Sequence, residues 1–189
     1  GTAVGNEIDN TTSVILGDVD GDGNLDLLAG NIGQNKLYLN DGSGGYPVTG
    51  TAVGSETDDT LSVILADVDG DGNLDLLAGN IGQNKLYLND GSGGYPVTGT
   101  AVGSETDTTF GLILGDVDSD GDLDLLAGNL GQTNKLYLND GSGSFDATGT
   151  AVGWEEGSAG SVDIGGVEGD GDLDRVAVRC LYNKFACKA

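Results

Sequence analysis

The sequence predicts an all-β, propeller-type array of four-stranded blades, three complete and one partial, and three observations carry that prediction. The first is literal repetition: residues 1–49 laid over 50–98 differ only at Asn6/Ser55, Ile8/Thr57, Asn10/Asp59, Thr12/Leu61 and Gly17/Ala66. Self-similarity at a fixed period of this length marks a solenoid, a propeller or an array, in which each unit buries its faces against its neighbours. The second is that every unit divides into short apolar runs separated by clusters of Gly, Asn, Asp and Ser, the residues that accept turn geometry. The third is that no segment holds a 3.6-residue period without being broken by one of the chain's 36 glycines, so helix finds no support. Four strands in a unit of this length favour blades over a sandwich, whose strands would not recur so literally.

The units run 1–49, 50–98 and 99–148, the third lengthened by one residue where "GQNK" becomes "GQTNK", with a divergent, partial fourth at 149–189. All four are expected to form one structural domain. In the first unit, "SVILGDV" (13–19) is an almost continuous apolar run that suits a strand buried on both faces. "LDLLAGN" (25–31) is a second strand, and "NKLYLND" (35–41) alternates Leu37 and Leu39 against Lys36, Tyr38 and Asn40 as a half-exposed third. "GGYPVTG" (44–50) is a weaker fourth, because Pro47 is tolerated only at an edge.

Between the first two strands lies "DVDGDGNLD". Asp18, Asp20, Asp22 and Asp26 occupy positions 1, 3, 5 and 9 of this loop, with Gly23 at position 6. Alternate spacing lets a tightly curved loop aim its first three carboxylates at one point while the glycine permits the bend, as in the first half of an EF-hand loop. Asn24 at position 7 would contribute its backbone carbonyl, and Asp26 would close the shell. Carboxylates held this close repel unless a cation sits among them, and a hard ion taking 6–8 oxygens at about 2.3–2.6 Å answers that need. Calcium fits best: magnesium dehydrates reluctantly, and the loops hold no His or Cys to attract zinc. The same places are held by Asp67, Asp69, Asp71, Asn73 and Asp75 in the second unit, and by Asp116, Asp118, Asp120, Asp122 and Asp124 in the third. The fourth unit has Gly166 and Glu168 at positions 1 and 3 and keeps only Asp170, Asp172 and Asp174 in register, so about three sites are expected and the fourth loop is weak or empty.

The DxDxDGxxDL loop, the apolar strand before it and the trailing "LYLNDGSGGY" resemble the FG-GAP/VCBS-type repeats of integrin alpha subunit propellers and of many bacterial secreted proteins. The resemblance covers units one to three and the first half of unit four. It implies four-stranded blades around an axis, with a calcium loop joining the first and second strands and its ligands at the loop positions named above. It implies no catalytic residue.

Composition narrows the function. Seven Lys and Arg against 31 Asp and Glu give a formal charge of −24, which repels phosphate backbones and anionic membrane surfaces and argues against nucleic-acid partners. No stretch approaches the roughly 20 apolar residues of a membrane span, and no basic-then-apolar leader precedes the first repeat, so a soluble chain without membrane insertion is expected. Propellers close with about four to eight blades, and "RVAVRCLYNKFACKA" has no counterpart of "GGYPVTG" to finish the fourth. Either the N-terminal segment supplies that strand, or further blades exist, or copies associate, since open strand edges invite pairing.

The expectation is therefore a calcium-binding, extracellular or cell-surface repeat scaffold for structural assembly, adhesion or protein interaction. The alternative is a calcium-dependent, lectin-like propeller in which the recurring aromatics Tyr38, Tyr87 and Tyr137, or Tyr46, Tyr95 and Phe145, stack on sugars rather than pack between blades. Trp154, where the repeat has Asn6, Ser55 and Ser104, is a ligand platform or a hydrophobic cap. Cys180 and Cys187 are able to pin the tail as a disulfide in an oxidising compartment, and Asn10-Thr11-Thr12 fits a glycosylation acceptor. An enzyme is not expected: there is no histidine, the clustered aspartates are taken up by the metal loops, and Asp163, Glu155 and Glu156 are the acids left outside the repeat's own logic.

Overall fold

The computed structural model describes residues 4–152, together with the strands Ala159–Gly165 and Arg175–Cys180 as backbone. The fourth acidic loop with Gly166, Glu168, Asp170, Asp172 and Asp174 lies outside the described residues, as do Trp154, Glu155, Glu156, Cys187 and the side chains of Asp163 and Cys180. Three four-stranded antiparallel sheets follow one another along the chain. The first comprises β1 (Asn10–Gly17), β2 (Asp26–Ile32), β3 (Lys36–Tyr38) and β4 (Thr51–Ala52). The second comprises β5 (Thr60–Ala66), β6 (Asp75–Asn80), β7 (Lys85–Tyr87) and β8 (Thr100–Ala101). The third comprises β9 (Thr109–Gly115), β10 (Asp124–Asn129), β11 (Asn134–Tyr137) and β12 (Thr150–Val152), and a hairpin of β13 (Ala159–Gly165) and β14 (Arg175–Cys180) comes after it. Among the described residues there is no helix.

Each sheet is an up-and-down meander whose strands lie in chain order, and the first strands of successive sheets are neighbours, β1 beside β5, β5 beside β9 and β9 beside β13. That places the first strand of every blade on the inner side of the array. One unpaired residue interrupts each inner ladder, at Thr12, Leu61 and Phe110, where the register with the second strand shifts. Such bulges increase local twist.

The fourth strand is not where the sequence reading puts it. Residues 44–50 turn rather than extend: the Asp41 N–H donates to the Gly45 carbonyl, Gly44 has φ +81°, and Pro47 has no N–H for a ladder. The edge is supplied by Thr51–Ala52, pairing with Leu37 and Lys36. The first sheet therefore spans 10–52, the second 60–101 and the third 109–152, each closed by residues that the sequence period counts as the start of the next unit.

The core lies between sheets. Val19, Leu28, Leu37 and Val53 on the trailing face of the first sheet meet Val63, Leu76, Ala78 and Tyr87 on the leading face of the second. Val68, Leu77, Leu86 and Val102 repeat the contact against Leu125, Ala127 and Tyr137 of the third. Strands β6 and β10 are buried along their whole length, which is why "DLLAGN" carries no polar alternation. Each fully buried leucine contributes about 1.5–3 kcal/mol. Glycine has a packing role at Gly30, where an added Cβ would lie 2.7 Å from Val63 Cγ1. Polar bonds cross the same seams: the Asn35 amide donates to the Thr60 hydroxyl, which donates to Asn80 Oδ1, and Asn84 does the same to Thr109.

Burial of β1 on both faces does not occur within the described residues. Val14 is 61% and Leu16 53% exposed, against 8% for Val63 in the same register, because no described sheet covers the leading face of the first.

Candidate metal centres

Each of the three described acidic loops joins an inner strand to the second strand of its sheet and is shaped by its own carboxylates. Asp18 Oδ2 accepts the Gly23 N–H at 3.0 Å, closing the loop across its width, and Asp67 and Asp116 do the same with Gly72 and Gly121. Asp20 Oδ1 accepts the Asp22 N–H and Asp22 Oδ1 the Asn24 N–H, so consecutive aspartates form turns over the next residues. The outcome is convergence: Asp18, Asp20 and Asp22 each offer a carboxylate oxygen within 4.8 Å of the others, and Asp67, Asp69 and Asp71 form the same group in the second sheet. In the third, the group consists of Asp116, Asp118 and Asp124.

The position-9 aspartates are fully buried and serve as struts. Asp26 Oδ2 accepts the Val19 N–H at 2.9 Å and Oδ1 the Asn40 N–H at 2.8 Å, tying the acidic loop to the end of β3. Asp75 and Asp124 repeat this with Val68 and Asn89, and with Val117 and Asn139. Asp26 and Asp75 thus stand beside their triplets with both oxygens already accepting N–H bonds. The position-7 side chains lie against the loop after the third strand: Asn24 borders Gly42, Asn73 borders Gly91 and donates to Asp71 Oδ2, and Asp122 borders Gly141.

The donor set fits a hard divalent cation. Asp18 Oδ1 and Asp67 Oδ1 are buried atoms without a hydrogen-bond partner, an arrangement that costs free energy unless something positive lies opposite. Burial, and then the charges of Asp26, Asp22 and Asp18, push the Asp20 carboxyl above its ordinary value. Burial followed by the neighbouring aspartates does the same to Asp118 and Asp122. The third loop departs from the others at two positions. Asp122 adds a carboxylate where Asn24 and Asn73 stand, and Ser119 occupies the left-handed position held by Gly21 and Gly70, with φ +63°. There Asp116 Oδ1 accepts the Asp120 N–H and Asp120 stays outside the triplet.

A second recurring carboxylate escapes the sequence reading. Glu7 pairs with Lys36 at 3.1 Å, accepts the Tyr38 hydroxyl at 2.8 Å and accepts the Gly50 N–H at 2.8 Å. Glu56 repeats the clamp on Lys85, Tyr87 and Gly99, and Glu105 on Lys135, Tyr137 and Gly149. The Gly50 N–H, then Tyr38 and Lys36, hold the Glu7 carboxyl down to about 2, while burial and then Glu7 push the Tyr38 hydroxyl up to about 12. The signal was present as the "AVGxE" string, and Glu155, read as an acid outside the repeat, stands in that same register. The clamp also settles the third-strand tyrosines: Tyr38, Tyr87 and Tyr137 are buried with their hydroxyls engaged, and Tyr95 and Phe145 pack into the seams.

A sequence profile of the FG-GAP-like repeat matches residues 18–78, 67–127 and 116–177, each match running from one acidic loop through the next. A search of curated protein sequences finds no significant match. Among solved structures, the chain is similar to an Agrocybe aegerita lectin with specific recognition of non-reducing terminal N-acetylglucosamine, at 18% identity and a TM-score of 0.59 over 89% of this chain and 47% of that one. It is also similar to the V. cholerae biofilm matrix protein Bap1, at 18% identity and a TM-score of 0.50, over 87% of this chain and 28% of that one. BBS1N, solved in complex with ARL6DN, matches at 13% identity and a TM-score of 0.54 over 86% of this chain and 49% of that one. The chain spans about half or less of each of these structures, and at such identities the likeness shows the fold alone.

Proposed function

Because the chain belongs to the FG-GAP-like repeat family, we propose that it is a calcium-clamped repeat scaffold, outside the cell or on its surface, for structural assembly, adhesion or protein interaction. The observation that carries this reading is the convergence of three carboxylates in each loop, with Asp18 Oδ1 and Asp67 Oδ1 buried and unpartnered. Asp18, Asp20 and Asp22, Asp67, Asp69 and Asp71, and Asp116, Asp118 and Asp124 would hold the ions. A bound divalent cation supplies the positive charge these loops lack. Asp26, Asp75 and Asp124 do the positioning, since each fixes its loop to the end of the third strand. No catalytic step is assigned, because the clustered carboxylates are engaged in loop closure and strand clamping.

Calorimetric melts with calcium and with excess chelator test the reading. Binding to the folded form alone adds about 2.7 kcal/mol per site at a hundredfold excess over Kd, so chelation should lower Tm by several degrees for each loop emptied. An unchanged melt would remove the calcium reading.

One observation favours glycan binding as a second reading. An open groove lined by Leu39, Asp41, Tyr46, Pro47, Thr49 and Thr51 sits on the first sheet beside a partly exposed aromatic ring, and one neighbour in fold is a lectin. A glycan array probed in calcium separates the two, because a pure scaffold gives no saturable, sugar-competed signal.

A further inference from the structure

The buried struts of the second and third sheets reach beyond their own blades. Asp75 Oδ2 accepts the Val68 N–H at 3.1 Å and Oδ1 accepts the Asn89 N–H at 2.8 Å. The Asn89 side chain then crosses the first seam and donates to the Val19 carbonyl at 2.8 Å. In the third sheet Asp124 Oδ2 accepts the Val117 N–H at 2.9 Å and Oδ1 the Asn139 N–H at 3.0 Å, and the Asn139 side chain crosses the second seam to the Val68 carbonyl at 2.8 Å. Val68 takes one bond at its carbonyl and gives another from its N–H. It thereby joins the two segments into one line running from Val117 through Asp124, Asn139, Val68, Asp75 and Asn89 to Val19.

Both ends and the middle of this line lie inside acidic loops. Val19 stands between Asp18 and Asp20, Val68 between Asp67 and Asp69, and Val117 between Asp116 and Asp118. Asp124 is itself one of the converging carboxylates of the third loop. The joints are stiff because they are dry. Asp75 and Asp124 are fully buried and Asn89 and Asn139 are 4% exposed, so a member that turns away leaves a buried donor or acceptor unpaired.

We infer that this line of hydrogen bonds couples the three acidic loops, so that a divalent cation held in one loop raises the affinity of the loop in the adjoining blade, with Asn89 and Asn139 as the positioning residues between them. When the second loop is fixed around a cation, Val68 is fixed with it. Its N–H sets the Asp75 carboxylate, which sets the Asn89 N–H and aims the side-chain amide at Val19. The first loop then meets its own cation with part of its ordering already done and loses less conformational freedom on binding. The effect is reciprocal: the first loop strengthens the second by the same factor. Coupling rests on the calcium reading and goes beyond it, since three independent sites would stabilise the blades equally well.

Calcium titration of the full chain, followed by NMR at the Gly23 amide that closes the first loop, tests it. The second loop is emptied by Asp69→Asn with Asp71→Asn, neither of which belongs to the line. First-loop affinity should then fall about fivefold or more. With Asn89→Ala in place, emptying the second loop should leave first-loop affinity nearly unchanged. Asn35→Ala is the control: Asn35 also crosses the first seam, to the Thr60 hydroxyl, but at the opposite end of β3 from the acidic loop, and there the dependence should persist. Charge acting through space would survive Asn89→Ala, and a general loosening of the seam would show equally in Asn35→Ala. Either outcome overturns the coupling, as does a first loop indifferent to the second in the parent background. Should Asn89→Ala fail to fold, Asn139→Ala read at the Gly72 amide, with the third loop emptied by Asp116→Asn and Asp118→Asn, asks the same of the second seam. A parent that binds no calcium overturns the calcium reading itself and the coupling with it, whereas a parent whose loops fill independently overturns the coupling alone.

Discussion

The side-chain amide of Asn89 donates to the main-chain carbonyl of Val19 at 2.8 Å, bridging 70 positions of sequence and the first seam. Val19 lies between Asp18 and Asp20, so the second sheet, in docking, takes hold of the backbone of the first acidic loop. The loop after β7 also approaches it, since a Cβ added at Gly93 would lie 3.6 Å from Asp20 Cβ. Asn139 and Val68, and Gly143 and Asp69, repeat the relationship one seam further on. The shape of each of these two loops is therefore set partly by the blade that follows.

Asn89→Ala should accordingly reduce both stability and calcium affinity. Leaving the buried Val19 carbonyl unpaired costs about 1–3 kcal/mol, readable in urea denaturation, and calorimetric titration should show the first site weakened. Asn40→Ala should cost less, since Asn40 reaches no carbonyl across a seam. Stability lost with calcium affinity intact would show that the loop's shape is independent of its neighbour.

Ser119→Gly should stabilise the protein. Ser119 has φ +63° where Gly21 and Gly70 have +74°, and an L-residue in that region carries a penalty of about 1–2 kcal/mol. Glycine's greater freedom in the unfolded chain offsets part of the gain, leaving a net of about 0.5–1 kcal/mol in chemical denaturation. Gly70→Ala should move stability the other way. If Ser119→Gly lowers stability, the serine has a compensating role.

Acid should act in opposite senses on the two sets of carboxylates. Glu7 is held at about 2 against an ordinary 4.5, so its contribution is complete above about 4.5 and is lost as pH falls toward 2. In chelator, Asp20, Asp118 and Asp122 are raised above their ordinary 3.8. The folded chain then binds protons more readily than the unfolded one, and stability rises as pH falls from neutrality toward the region just above 3.8. In chelator, Asp20→Asn should therefore raise the melting temperature at neutral pH and lose that advantage in mild acid, and Glu7→Gln should lower it at neutral pH and converge on the parent toward pH 2. A neutral-pH melt that Asp20→Asn leaves unchanged in chelator would contradict the crowding of the first loop.

The local part of the structure was legible. Spacing alone located the aspartate triplets of the first two loops, because alternate residues of a tight turn point the same way, and the turn residues bounded most strands. The edge strand was missed because Thr51 and Ala52 carry almost no strand signal of their own; Thr51–Ala52 is an edge only because Lys36 and Leu37 present a free ladder beside it. Glu7, Glu56 and Glu105 were overlooked although they recur. Their role depends on Lys36, Lys85 and Lys135, about 30 positions away, and one glutamate per unit in a chain with 31 acids looks like solvated charge. The third loop's substitution of Asp124 for Asp120 in its triplet was likewise hidden, since both aspartates stand at the same loop positions as in the first two units.

By itself the sequence determined the period, the all-β character and the acidic turns, all of which depend on residues close together in the chain: apolar runs of strand length, glycines that accept positive φ, and carboxylates two positions apart. Tertiary structure alone decided which blade each segment completes, which faces are covered, and that Asn89 and Asn139 grip the acidic loops of preceding blades. Those outcomes depend on groups some 50 to 70 positions apart meeting across a seam, and nothing in a local pattern encodes what stands on the far side of a sheet.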